Sequence, residues 1–147
     1  MTLRLATPAD IPRLIEIRGA VRENRLRDPA SIGAGDYAPY VEDRRCWLWD
    51  EAGTVLGFAA LDPASPLGLS GAAGAAVWAL FVVPQAQGRG IGRALLGALV
   101  ADARRLGLAA LTLSTEKGSR AEAFYREAGW RGAGRDAHGD TMLALSL

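Results

Sequence analysis

The chain has 147 residues, 17 basic and 16 acidic, for a net charge of +1. That balance gives no electrostatic drive toward nucleic acid. One cysteine, Cys46, and one histidine, His138, leave no material for an intrachain disulfide or a cysteine- or histidine-based metal site, so no metal is expected. Half of the residues are apolar, which predicts one core and one domain over residues 1–147. The first residues lack the apolar stretch of a signal peptide. The longest apolar run, residues 72–83, is shorter than the roughly 20 residues of a membrane span. A cytoplasmic protein without a membrane partner is expected.

Residues 3–6 form a short predicted strand. Thr7 is placed to cap a helix, with Pro8 in its first turn and Asp10 at its third position. Ile11, Leu14, Ile15, Arg18 and Val21 then follow helical spacing. Asp28-Pro29 and Gly33-Ala34-Gly35 break that pattern before a second short helix at 36–41. Residues 46–49 and 54–61 are predicted strands joined by a hairpin turn at Asp50-Glu51-Ala52-Gly53. Residues 62–74, rich in Pro, Gly, Ser and Ala, form a loop. Residues 75–83 are apolar on both faces, the pattern of a central strand.

A helix follows at 90–106, with Ile91, Leu95, Leu99 and Leu106 on one side and Gly107 as its stop. Residues 108–113 are a buried strand, and 119–128 a helix that ends at Gly129. Residues 130–133 and 141–147 close the chain as strands. The fold class is α/β (α+β): a mixed, mostly antiparallel sheet of about seven strands flanked by about four helices.

The most informative stretch joins the central strand to the long helix. Val82-Val83-Pro84 ends the strand, and Gln87-Gly88-Arg89-Gly90-Ile91-Gly92-Arg93 leads into the helix. Free backbone N–H groups and the positive end of a helix dipole meet there, an arrangement that holds a diphosphate. Glycines alone also fit a flexible turn. A dinucleotide fold needs G-x-G-x-x-G after the first strand and an acidic residue about 20 positions on. Here the spacing is G-x-G-x-G and residue 112 is a threonine. A P-loop needs Gly-Lys-Ser/Thr, where this chain has Gly92-Arg93-Ala94.

Gln87 to Gly92 matches Q-x-x-G-x-G, and the chain resembles the GCN5-related N-acetyltransferases on that motif. A second block, Arg120 to Trp130, is similar to the family's A-x-x-F-Y-x-x-x-G-F segment through Ala121, Phe124, Tyr125, Gly129 and Trp130. The resemblance covers residues 75–131; earlier it rests on element order. It implies acetyl-CoA as co-substrate and an amine or peptide acceptor. By the same resemblance, the backbone of Leu80, Phe81 and Val82 pairs with the pantetheine arm, and one N–H there polarises the thioester carbonyl. Gln87, Gly88, Arg89, Gly90, Ile91, Gly92 and Arg93 surround the diphosphate, glycines leaving no Cβ in the way. Ser119 and Phe124 join the coenzyme site. Tyr125 is the candidate general acid toward the departing thiolate.

Two departures from the family pattern stand out. The position seven residues before Tyr125, often asparagine in the family, is Gly118. The central strand has no glutamate to act as a base; Trp78 fills that neighbourhood, and Leu113 stands where some relatives carry another glutamate. Glu116 is the favoured candidate base. His138, Asp140 and a relayed water stay open. Cys46 lies outside both motifs and is not a candidate nucleophile. The same resemblance implies that residues 21–40, including Glu23, Asn24, Asp28, Asp36 and Tyr37, wall the acceptor site. Trp47, Trp49 and Trp78 could line an aromatic pocket, but at least two are expected in the core.

The expected activity is acetyl transfer to a primary amine by direct attack. The competing reading is an acyl-CoA-binding or sensing module without efficient chemistry, supported by the missing glutamates. A nicotinamide-dependent oxidoreductase ranks third. The sequence leaves the oligomeric state open; the resemblance makes a homodimer paired through sheet edges or C-terminal strands one option.

Overall fold

Side-chain alternation sets the first sheet pairings. In β2 (Cys46–Glu51), Cys46 and Leu48 are buried while Trp47 and Trp49 are half-buried. β2 pairs antiparallel with β1 (Thr2–Leu5) on one side and with β3 (Thr54–Asp62) on the other. The hairpin between β2 and β3 turns through Ala52 and Gly53, both at positive φ, and Asp50 Oδ1 accepts from Gly53 N–H at 2.9 Å. β3 buries Val55 and then every residue from Gly57 to Leu61, as a strand covered on both faces does.

The computed structural model describes residues 2–21, 33–63 and 75–147. Most of the expected loop at 62–74 lies outside them, as do Asp28-Pro29 and the acceptor-side candidates Glu23, Asn24 and Asp28. The remaining elements are α1 (Ile11–Ala20), α2 (Ala34–Glu42), β4 (Ala76–Val82), α3 (Ile91–Arg105), β5 (Ala110–Thr115), α4 (Arg120–Glu127), β6 (Arg131–Arg135) and β7 (Thr141–Ser146). The seven strands form one mixed sheet in the order β1-β2-β3-β4-β5-β7-β6, so β4 is its middle strand, as its two apolar faces predict. β4 meets β5 in parallel at Ala76 and Thr112; β5–β7 and β6–β7 are antiparallel.

The chain falls into two compact units, Met1–Leu61 with Trp78–Asp102, and Asp62–Val77 with Ala103–Leu147. In the first, Leu14 and Ile17 of α1, Tyr37 of α2, Leu48 and Phe58 of the sheet, and Ile91, Leu95 and Leu99 of α3 are fully buried. In the second, Leu111, Leu113, Tyr125, Trp130, Met142 and Leu143 form the core.

Three expectations change. Leu106 follows the end of α3 and is 40% exposed, because the helix stops before another turn could return that side chain to the buried stripe. In α1 the buried stripe runs through Ile17 rather than Ile15, while Arg18 stays on it as expected. None of Trp47, Trp49 and Trp78 is fully buried; Trp130, at 3% exposure, is the core tryptophan. The first two stand on the face of β2 opposite Cys46 and Leu48.

The turn into α1 is held by charge. Thr7 N–H donates to Asp10 Oδ2 at 2.8 Å, and Arg4 donates to both Asp10 oxygens at 2.9 and 3.1 Å and to Asp50 at 3.2 Å. The Arg4 guanidinium, with help from Thr7, holds the Asp10 carboxyl down at about 2. That stabilisation is complete above the unfolded carboxyl range near pH 4 and is lost as pH falls toward 2. Urea midpoints between pH 7 and pH 3 are expected to fall less in Asp10→Asn than in the parent. The parent's extra loss across that titration is about 1–2 kcal/mol.

Gly57 lets β4 approach. A Cβ there would lie 2.9 Å from the Phe81 carbonyl oxygen and 3.2 Å from both Leu95 Cδ1 and Val82 Cγ2. Gly97, exposed in α3, has nothing within 4 Å of its Cβ position. Gly57→Ala is expected to cost about 1–3 kcal/mol of unfolding free energy, because the nearest atom is backbone. Gly97→Ala is expected to gain about 0.5–1 kcal/mol from helix propensity. Denaturant melts of the two variants check this opposition of sign.

Candidate active site

The glycine-rich turn lies in the first unit. Val83 N–H donates to Leu56 O at 2.9 Å, ending the strand, and a short turn of 3-10 helix follows at Pro84–Ala86. Gln87 reaches back, its Nε2 donating to Val82 O at 3.1 Å, which braces the turn against the end of β4. Gly88 and Gly90 adopt φ +82° and +85°, left-handed backbone that residues with a Cβ enter only under strain. α3 then begins at Ile91, with no acidic residue in its first turn. Its first N–H groups have no partner within the helix, and the dipole adds positive potential there. The Ile91 side chain is 1% exposed, so only its backbone is available to a ligand. Gly88, Arg89, Gly90 and Arg93 are exposed.

Arg89 is engaged. Its Nη2 sits 2.8 and 3.1 Å from the two Glu51 carboxylate oxygens. Both side chains are substantially solvated, at 48% and 34% exposure. An exposed pair of this kind contributes about 0–1 kcal/mol, too little to hold Arg89 back from a diphosphate.

Leu80, Phe81 and Val82 of β4 are half-buried. Phe81 packs on Phe58, ring centroids 5.8 Å apart. The Phe81 side chain therefore belongs to the packing of the first unit.

The second motif lies in the other unit. Ser119 caps α4: its Oγ accepts from Glu122 N–H at 3.1 Å and lies 3.2 Å from Thr115 Oγ1. Gly118, in the preceding turn, has φ +76°. Glycine enters that region freely and asparagine better than most residues. Replacing asparagine by glycine thus keeps the turn and deletes a side-chain amide. Phe124 is half-buried, its ring 5.2 Å from that of Tyr125, which in turn lies 5.2 Å from Trp130. Tyr125 is 6% exposed, and burial pushes its phenol well above the ordinary tyrosine range. Glu116 is exposed in the β5–α4 turn, its carbonyl accepting from Ser119 N–H at 3.1 Å. His138 is exposed and Asp140 half-buried in the β6–β7 turn, where Asp136 Oδ1 accepts from both backbone N–H groups.

Cys46 is 1% exposed, and burial pushes its thiol up to about 12. It stays a thiol, unsuited to nucleophilic attack. Among the described residues no group of three or more His, Cys, Asp or Glu is arranged to hold a metal ion. None of the described helices is long and apolar enough to cross a membrane.

One residue of the first unit that helical spacing placed on the α1 stripe was given no role by the sequence. Arg18, on the buried face of α1, is 9% exposed and lies among aromatic rings from α2 and β4. Its signal was a charged residue inside an apolar stripe, which helical spacing alone treats as another core position.

Comparison with known proteins agrees with this architecture. The family model for the acetyltransferase (GNAT) family matches residues 17–130. Serotonin N-acetyltransferase 2, chloroplastic, from Oryza sativa subsp. japonica is 32% identical over 132 residues. That match covers 86% of this chain and 59% of the rice protein, so the chain spans well under two thirds of that relative's length. Two solved structures share the fold. Ribosomal-protein-alanine N-acetyltransferase from Brucella melitensis superposes with a TM-score of 0.78 at 24% identity, covering 100% of both chains. A putative acetyltransferase from Salmonella typhimurium, solved with its cofactor acetyl-CoA, gives 0.79 at 23% identity, covering 100% of this chain and 94% of its own. With a family model matched over most of its length, the chain belongs to the GNAT acetyltransferase family.

Proposed function

We propose that the chain, as one catalytic domain over residues 1–147, transfers an acetyl group from acetyl-CoA to a primary amine by direct attack. The observation that carries this reading is the left-handed backbone at Gly88 and Gly90. It leads straight into an α3 whose first turn is free of acidic residues. Main-chain N–H groups of residues 88–93 hold the diphosphate, and Arg93 and a released Arg89 add charge. The backbone of Leu80, Phe81 and Val82 pairs with the pantetheine arm, and one of its N–H groups stabilises the oxyanion. Phe124 packs beside the coenzyme.

The amine nitrogen attacks the thioester carbonyl and forms a tetrahedral intermediate. The C–S bond then breaks, the thiolate leaves, and the amine proton passes to a base. Glu116, exposed to water, serves as that base directly or through a water molecule. Tyr125 is protonated at every working pH because of its burial. Complete proton transfer from so weak an acid to a thiolate, whose parent thiol is the stronger acid, runs uphill. Its contribution is a hydrogen bond to the developing charge on sulfur.

The test is thiol release from acetyl-CoA across a panel of primary amines. Acceptor-dependent turnover supports the reading; saturable coenzyme binding without turnover on any amine contradicts it. Tyr125→Phe is expected to lower kcat about tenfold to a hundredfold with KM for acetyl-CoA little changed, the size of one lost hydrogen bond to a charged group. Gly90→Val adds a Cβ at φ +85°. It is expected to weaken coenzyme A binding at least about tenfold in calorimetric titration, since strain of 1–3 kcal/mol must be met or the turn must move.

A further inference from the structure

Arg18 is a buried cation with no counter-ion among the described residues. Its guanidinium carbon lies 4.8 Å from the centroid of the Trp78 ring, 4.9 Å from that of Phe81 and 6.0 Å from that of Tyr37. Its polar contact among the described residues is a long one, Nη1 to the Tyr37 hydroxyl at 3.4 Å. Its Nε is buried and has no hydrogen-bond partner, and no carboxylate among the described residues pairs with it. Tyr40 stacks on Trp78 at 4.4 Å, and Tyr37 meets Trp78 edge-on at 5.1 Å.

Rings attract a guanidinium through their faces, but they supply no acceptor for its five N–H donors. A buried charge in this condition is costly unless a partner arrives. The partner that fits is planar and anionic, because the guanidinium edge matches a carboxylate in bidentate geometry. Phe81, one of the three rings, is also a residue whose backbone is assigned to the pantetheine arm. An anion on Arg18 would therefore sit beside the strand that presents the thioester.

We propose that Arg18 is the specificity determinant of the acceptor site and binds a carboxylate on the acceptor, the flanking rings covering its apolar part. The acceptor class is a small aminocarboxylic acid, one molecule carrying both the amine to be acetylated and a carboxylate. This rests on the acetyltransferase reading for the fate of the amine; the carboxylate site itself rests on Arg18.

Two measurements separate these claims. Calorimetric titration of the protein with 3-phenylpropionate and with 3-phenylpropionamide, with and without coenzyme A, needs no turnover. The acid is expected to bind at least about thirtyfold more tightly than the amide, the scale of hydrogen bonds to a charged group. Arg18→Gln, checked for folding by circular dichroism, is expected to erase the difference, and Arg18→Lys to keep only part of it. Equal binding of acid and amide by the unaltered protein overturns the proposal whether or not any variant folds. The second measurement compares phenylalanine, phenylalaninamide and phenethylamine as acceptors. A preference for the acid carried mainly in KM and lost in Arg18→Gln supports the proposal; an unchanged preference in that variant overturns it. Acid-selective binding without acetylation of any amine would leave Arg18 as an anion site and refute the acetyltransferase reading alone.

Discussion

Left-handed backbone at Gly88 and Gly90 turns the chain from the end of β4 into α3 within a few residues. That turn decides where the N–H groups at the start of α3, which have no partner within the helix, point. Gln87 fixes its near side by bonding to Val82 O. Ile91, Leu95 and Leu99 fix its far side by anchoring α3 in the core. A diphosphate bound there would meet donors already oriented, so little ordering entropy would be lost on binding. Arg89 is held by Glu51 in a solvated pair weak enough to yield.

β4 works through its backbone as much as through its side chains. Gly57 admits the Phe81 carbonyl at a distance that a Cβ would not allow. The strand assigned to the thioester is thus placed by the absence of a side chain on its neighbour. Its side chains face other tasks: Phe81 packs against Phe58, and Trp78 and Phe81 approach Arg18. One strand segment would therefore connect the proposed coenzyme contacts to the proposed acceptor-side cation.

Much of this was legible in the sequence. The order of strands and helices followed from apolar periodicity and from glycine and proline breaks, because local patterning and tertiary packing agree across most of the chain. The turn was legible because a positive φ demands glycine, and Gly88 and Gly90 occur where the strand must become a helix. Residues whose roles depend on long-range packing were not. The exposure of Leu106 depends on where α3 stops, and the burial of Trp130 in place of Trp47, Trp49 or Trp78 depends on which faces are covered. The surroundings of Arg18 were hidden for a related reason: residues from two elements, α2 and β4, far from it in the chain, enclose it.

The central claim is that main-chain amides of residues 88–93 grip the diphosphate of the coenzyme. Calorimetric titration with coenzyme A and, separately, with pantetheine, which has the same thiol arm and no diphosphate, tests it most directly. The account predicts saturable binding of coenzyme A and binding of pantetheine weaker by about a hundredfold or more, as loss of several charge-assisted hydrogen bonds implies. Equal affinity for the two, or no heat from coenzyme A with folded protein, would contradict it.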